Sequence, residues 1–122
     1  KAMENPYVNG ISHPTGRMLG FRRPMALDME AVIRQACQTG TALEINAKPH
    51  RLDLNDIHTR MAVESQVKLI INTDAHHVNE LGLLQYGVAT AQRGWAKKGD
   101  VINCQSLSGL LKWVRAKREQ LG

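Results

Sequence analysis

Short apolar runs alternate along this chain with longer stretches in which apolar residues recur every three or four positions, and the alternation predicts strands and helices in turn. Val8 to Ser12 reads as a strand that ends at His13-Pro14. Leu27 to Gln38 reads as a helix, with Leu27, Ala31, Ile33, Ala36 and Cys37 on one broad face, Asp28 as its N-cap and Gly40 just past its end. Thr41 to Asn46 is a strand closed by the turn residues Ala47-Lys48-Pro49. The next helix runs from Asp53 or Asn55, either of which can cap it, to Ser65, with Leu54, Ile57, His58, Met61 and Ala62 on its apolar side. Val67 to Asn72 is a largely apolar run rich in β-branched Val67, Ile70 and Ile71, read as a strand covered on both faces. One or two short helices occupy Glu80 to Arg93, and a last helix spans Ser106 to about Glu119, turning Leu107, Leu110, Leu111, Trp113 and Val114 inward.

Strand, helix, strand, helix, strand, helix is the order of an α/β fold with parallel strands and crossover helices. Three such strands with helices on one side would leave a sheet face bare, so further strands of a sheet or barrel are expected upstream. The opening segment KAMENPYVNGISHP starts at Lys1 and enters a strand directly, which reads as the middle of a longer protein. No fixed-period repeat or low-complexity linker interrupts the chain.

The 122 residues make one domain or part of one. Hydrophobic residues reach 43%, which excludes a disordered chain, and with five aromatics the core must rest on Leu, Ile, Val, Ala and Met. No apolar run approaches the roughly 20 residues of a membrane span, and no signal-peptide pattern is present, so a cytoplasmic setting is the default expectation. A formal charge of +5 favours polyanionic partners such as nucleic acid. The excess gathers after Arg93, where it could equally be the solvated face of a terminal helix. Cys37 and Cys104 lack metal spacing and read as reduced thiols, Cys37 at a helix core position.

Reactive groups in parallel α/β folds sit after the carboxyl ends of strands, and all three strands here end in polar sets. In an extended Asp74-Ala75-His76 the carboxylate and imidazole would project side by side, a common arrangement for Zn²⁺, Mn²⁺ or Fe²⁺. Most such pairs are ordinary turn residues, but this one follows a buried strand. His13 precedes a proline, which biases it toward extended geometry, and is a second strand-end imidazole unless it merely closes a turn. Arg17 offers a planar fork for phosphate oxygens. Glu44 and Asn46 alternate with apolar Leu43 and Ile45, so Glu44 can ligate a metal or orient a ligand histidine. His50 and His77 read as solvent-side, and His58 as a packing or surface residue of a helix. A Gly-rich phosphate loop, a CxxC pair, HExxH and a serine elbow are all missing, which leaves metal-activated water as the chemistry to expect.

The strings NPYVNGISHPTGRML, TALEINAKPHRLDLND, VKLIINTDAHHVNEL and YGVATAQRGW, in this order, resemble the last part of the PHP (polymerase and histidinol phosphatase) module of bacterial X-family DNA polymerases, over essentially the whole chain. The resemblance implies that residues 1–122 are the C-terminal portion of a distorted (β/α)7 barrel whose N-terminal half is absent. It implies His13, Asp74 and His76 as ligands of a divalent cluster of up to three ions, Mn²⁺ or Zn²⁺, with Arg17 and Glu44 as catalytic candidates on the same rim. The implied activity is that of a 3′–5′ exonuclease acting on DNA phosphates and 3′ ends through a parent protein, in DNA repair.

The family's amino-terminal HxH pair, next His cluster and bridging Glu have no counterpart here, so the isolated chain is expected to bind metal weakly and to lack exonuclease turnover. An open barrel edge is expected to favour homo-oligomers or strand exchange. Two alternatives stand beside this one: a small-molecule PHP phosphatase of the histidinol-phosphate type, and a non-catalytic basic module that binds nucleic acid.

Overall fold

A computed structural model of the chain describes residues 1–122. Three short strands, β1 (Gly10–Ile11), β2 (Ala42–Asn46) and β3 (Leu69–Asn72), form one parallel sheet in the order β1-β2-β3. Gly10 pairs with Ala42, and Leu43 through Asn46 pair with Leu69 through Asn72. Parallel neighbours need crossovers, supplied by helix α1 (Met29–Thr39) before β2 and α2 (Asp56–Glu64) before β3. Helices α3 (Leu84–Arg93) and α4 (Leu107–Leu121) complete the α/β architecture that the alternation predicts. The sheet is open.

Local chemistry sets the helix ends. The Asp28 carboxylate accepts the Ala31 N–H at 3.0 Å, and Gly40 closes α1 at φ 62°, a left-handed turn that a side chain would oppose. At α2 the cap is Asn55, whose side chain accepts the His58 N–H at 2.8 Å, and this frees Asp53 for another task.

All five residues of β2 are buried. Around it pack Ile33 and Ala36 of α1, Leu54, Ala62, Leu69 and Ile71, with Ala91 of α3 and Val101. Gly87 lets α3 lie directly on the sheet: a Cβ there would stand 2.6 Å from the Ile71 Cγ2.

Several expectations need correction. In β3, Leu69 and Ile71 are buried, Ile70 is half-buried and Asn72 is exposed, so the strand is not covered on both faces. Cys37 is exposed, as are Ile57, Leu107 and Leu111, and Leu27 lies exposed ahead of α1, which begins only at Met29. The one buried side chain of α4 is Lys117, not a leucine.

The edges of the sheet differ. Along β3, Val101 bridges to Leu69, and the Asn103 side chain accepts the Ile71 N–H at 3.2 Å while donating to the Ile71 carbonyl at 2.7 Å. A side-chain amide thus satisfies main-chain groups that would otherwise invite another strand. The opposite edge, β1, is two residues long.

Candidate strand-end site

Because the strands are parallel, their carboxyl ends share one side of the sheet. Glu44 and Asn46, two apart on β2, project to the same face, and Asn72 pairs in register with Asn46. Glu44 is buried and both its oxygens are engaged: Oε1 accepts the His13 N–H at 3.0 Å and Oε2 accepts Asn72 Nδ2 at 2.9 Å. It thus ties the end of β1 to the end of β3, the geometry of a residue that positions its neighbours.

His13 follows β1 at φ 29° and Asp74 follows β3 at φ 53°. Both expectations of extended geometry are therefore corrected. The proline bias at His13 is overridden by the hydrogen bond to Glu44. The left-handed turn at Asp74, tolerable for an aspartate, redirects the segment so that His76 folds back. Its Nδ1 lies 2.7 Å from the Asp74 carbonyl, and an imidazole nitrogen at that distance from a carbonyl must carry the proton. Lys48 Nζ also approaches Nδ1, at 3.4 Å, but the shorter contact sets the tautomer and leaves Nε2 with a free lone pair.

Asp74 Oδ2 accepts Asn46 Nδ2 at 3.3 Å and lies 3.9 Å from Arg51 Nε, while Oδ1 takes no hydrogen bond. Four further residues shape this rim. Lys48 Nζ sits 3.6 Å from Glu80, and Glu80 accepts the His76 N–H at 2.6 Å. That N–H holds the half-buried Glu80 carboxyl below the ordinary carboxylate range, with Lys48 adding to the effect. Arg51 flanks Asp74. Asp53, fully buried, accepts the Thr15 N–H at 3.0 Å and the Gly16 N–H at 2.9 Å, and so fixes the loop that carries His13. In sequence Asp53 stands out only as a helix-cap candidate, a role that Asn55 takes, and the other three only as turn or charged surface residues.

Arg17 is half-buried and largely spoken for: Nε donates to the Arg51 carbonyl at 2.7 Å and Nη2 to the Leu52 carbonyl, so its fork holds two loops together and only Nη1 lacks a protein acceptor. His58 is half-buried with Nδ1 unpartnered, and desolvation pushes its pKa below the usual histidine value against the pull of Asp53. A depressed folded-state pKa means that the unfolded chain takes the proton first. Stability held above about pH 6.5 is therefore lost as the pH falls below it. In urea titrations at pH 7.5 and 5.0, His58→Gln is expected to lose less stability on acidification than the parent.

No group of three or more His, Cys, Asp or Glu side chains stands close enough together to hold a metal ion, so His13, Asp74 and His76 are not gathered into one ligand set. Each nonetheless keeps an unengaged donor: the His13 ring, Asp74 Oδ1 and His76 Nε2. A ring whose other N–H is fixed by a carbonyl is the usual state of a ligating histidine. The donors fit a divalent ion singly, not as a complete cage.

No family model matches the chain. A Bacillus subtilis (strain 168) protein named DNA polymerase/3′-5′ exonuclease PolX is 44% identical over 114 residues, which is 93% of this chain and 20% of that protein. The chain thus spans about a fifth of the length of the curated relative it matches.

Proposed function

We propose that the chain is part of a PHP-type, metal-dependent phosphoesterase module serving 3′–5′ exonuclease chemistry on DNA, and that its open sheet is a segment of a larger distorted barrel. The observation that carries this reading is the state of His76: Nδ1 lies 2.7 Å from the Asp74 carbonyl, while neither its Nε2 nor Asp74 Oδ1 has a hydrogen-bond partner in the protein. The 44% identity to a polymerase/exonuclease supports the substrate class.

His13, Asp74 and His76 would hold divalent ions, Mn²⁺ or Zn²⁺ and up to three in an intact domain, together with ligands from outside these residues. Such ions lower the pKa of bound water and neutralise charge on a phosphoryl group. The chain's own residues do the positioning. Glu44 orients the His13 loop and Asn72, Asn46 steadies Asp74, and Lys48 and Arg51 offset the charge of the Glu80 and Asp74 carboxylates.

The test is exchange. This chain, grafted in place of the matching 114 residues of the B. subtilis relative, is expected to support Mn²⁺-dependent digestion of DNA from its 3′ end. His76→Ala in the graft is expected to reduce that rate by about 10²-fold or more. An active graft indifferent to His76→Ala would refute the ligand assignment. The isolated 122 residues are expected to show no nuclease turnover.

A second reading, a non-catalytic basic module that binds nucleic acid, is favoured by the lack of any three-donor group. It requires salt-sensitive DNA binding unchanged by EDTA, together with a graft inactive under all metals.

A further inference from the structure

Phe21 is 85% exposed, more than any other large apolar side chain of the protein. Its exposure is not that of a loose tail. Met18 and Arg22 form an antiparallel bridge, closed by the Met18 N–H to the Arg22 carbonyl at 2.9 Å and the Arg22 N–H to the Met18 carbonyl at 2.7 Å. Gly20 turns the tip at φ 82°. The base is pinned twice more, by the Leu19 N–H on the His50 carbonyl at 2.6 Å and by Arg22 Nε on the Gly16 carbonyl at 2.8 Å. A built and tethered turn therefore presents a phenyl ring to solvent.

The other two most exposed aromatics each lie under a guanidinium, Tyr7 under Arg118 at 5.1 Å and Trp95 under Arg60 at 3.7 Å. Phe21 has no such partner, although Arg22 and Arg23 follow it directly and both are exposed. Residues Arg17 to Pro24 line a cavity of about 400 Å³, and no Asp or Glu occurs between Asn5 and Leu27. The turn also belongs to the rim: Leu19 leans on His50, Arg17 on Arg51 and Leu52, and Arg51 on Asp74.

We infer that the turn at Met18–Arg22 is a stacking platform on which Phe21 takes an unpaired base of single-stranded DNA while Arg22 and Arg23 meet its phosphates. An exposed aromatic face followed by two exposed cations, on a stretch that carries no carboxylate of its own, matches a nucleobase on a polyanionic backbone. Held at the strand-end rim, it would grip a strand whose end enters the site. The inference rests on the reading of the chain as a DNA-handling module and adds the residue that selects unpaired bases.

The experiment is fluorescence anisotropy of the chain with a labelled 12-mer oligodeoxythymidine and, separately, with a labelled 12-base-pair duplex, at low salt in EDTA so that no ion or cleavage contributes. The expected result is preference for the single strand, a loss of about five-fold or more in affinity for Phe21→Ala and Phe21→Leu, and retention for Phe21→Trp. Because the ring is exposed, these variants should keep the parent's circular dichroism spectrum and urea midpoint. Unchanged binding by Phe21→Ala, or equal affinity for the duplex, overturns the inference while leaving the DNA-handling reading intact. A parent chain that binds neither oligonucleotide overturns both.

Discussion

Replacing Asp53 by alanine is expected to cost about 3 kcal/mol or more of folding stability, the loss of two charge-assisted bonds plus the burial of orphaned donors. The residue is fully buried, and its carboxylate takes the N–H groups of Thr15 and Gly16 from a loop 37 and 38 positions away in the chain. Thr15 and Gly16 are themselves buried, so water cannot stand in for the lost acceptor. Asp53→Asn keeps one acceptor but turns an NH₂ toward a donor, and should fall between the two. Urea midpoints at an unchanged denaturant slope read the effect directly. A shift within about 0.5 kcal/mol of the parent, the range of an ordinary surface substitution, would contradict it. Because the loop carries His13, the same variant should also broaden the His13 amide signal while sparing that of His76.

Lys117→Met is expected to cost about 2–3 kcal/mol, since it keeps the length of the side chain but leaves three oxygens without a donor. Lys117 is 2% exposed, and its ammonium donates to the Met3 carbonyl at 3.1 Å, to the Val8 carbonyl and to the Thr41 hydroxyl. It thereby pins α4 to the opening segment and to the start of β2. Burial pushes its pKa below the ordinary lysine value. The unfolded chain then holds more protons in the window just beneath about 10.4, so this group makes stability climb as pH rises through that window. Between pH 8 and 10 the parent should gain stability relative to Lys117→Met, and a difference that stays flat or narrows would contradict the assignment.

What the sequence made legible was whatever depends on near neighbours. The Asp28 cap, the Gly40 stop, the three strands and their parallel order follow from spacings of a few residues, and the structure bears them out. The exposed Leu107 and the exposed Ile57 were not legible, because an apolar stripe says that a face can be covered and not whether anything covers it. Lys117 was hidden for the opposite reason. Inside a basic helix it looks like every other lysine, and its acceptors lie 76 to 114 residues away.

At the rim, residue types were readable and orientations were not. Asp74 and His76 stand at the end of β3 as their spacing suggests, but the left-handed turn at Asp74 replaces the parallel projection with a hook of His76 onto the Asp74 carbonyl. Alternation along β2 marked Glu44 as able to orient a histidine, and it accepts the His13 N–H, but the role of Asp53 depends on which backbone N–H groups arrive from the loop after β1, which no local pattern encodes.

The most direct measurement of the central claim is the tautomer and metal response of the five histidines, followed by long-range proton–nitrogen NMR of the imidazole rings during a Zn²⁺ titration. His76 should begin with Nδ1 protonated, and its Nε2 signal should shift with the first additions of metal, as should a ring nitrogen of His13, while His58 stays put. A His76 protonated on Nε2, or a titration that moves His50 and His58 and leaves His13 and His76 untouched, would contradict it.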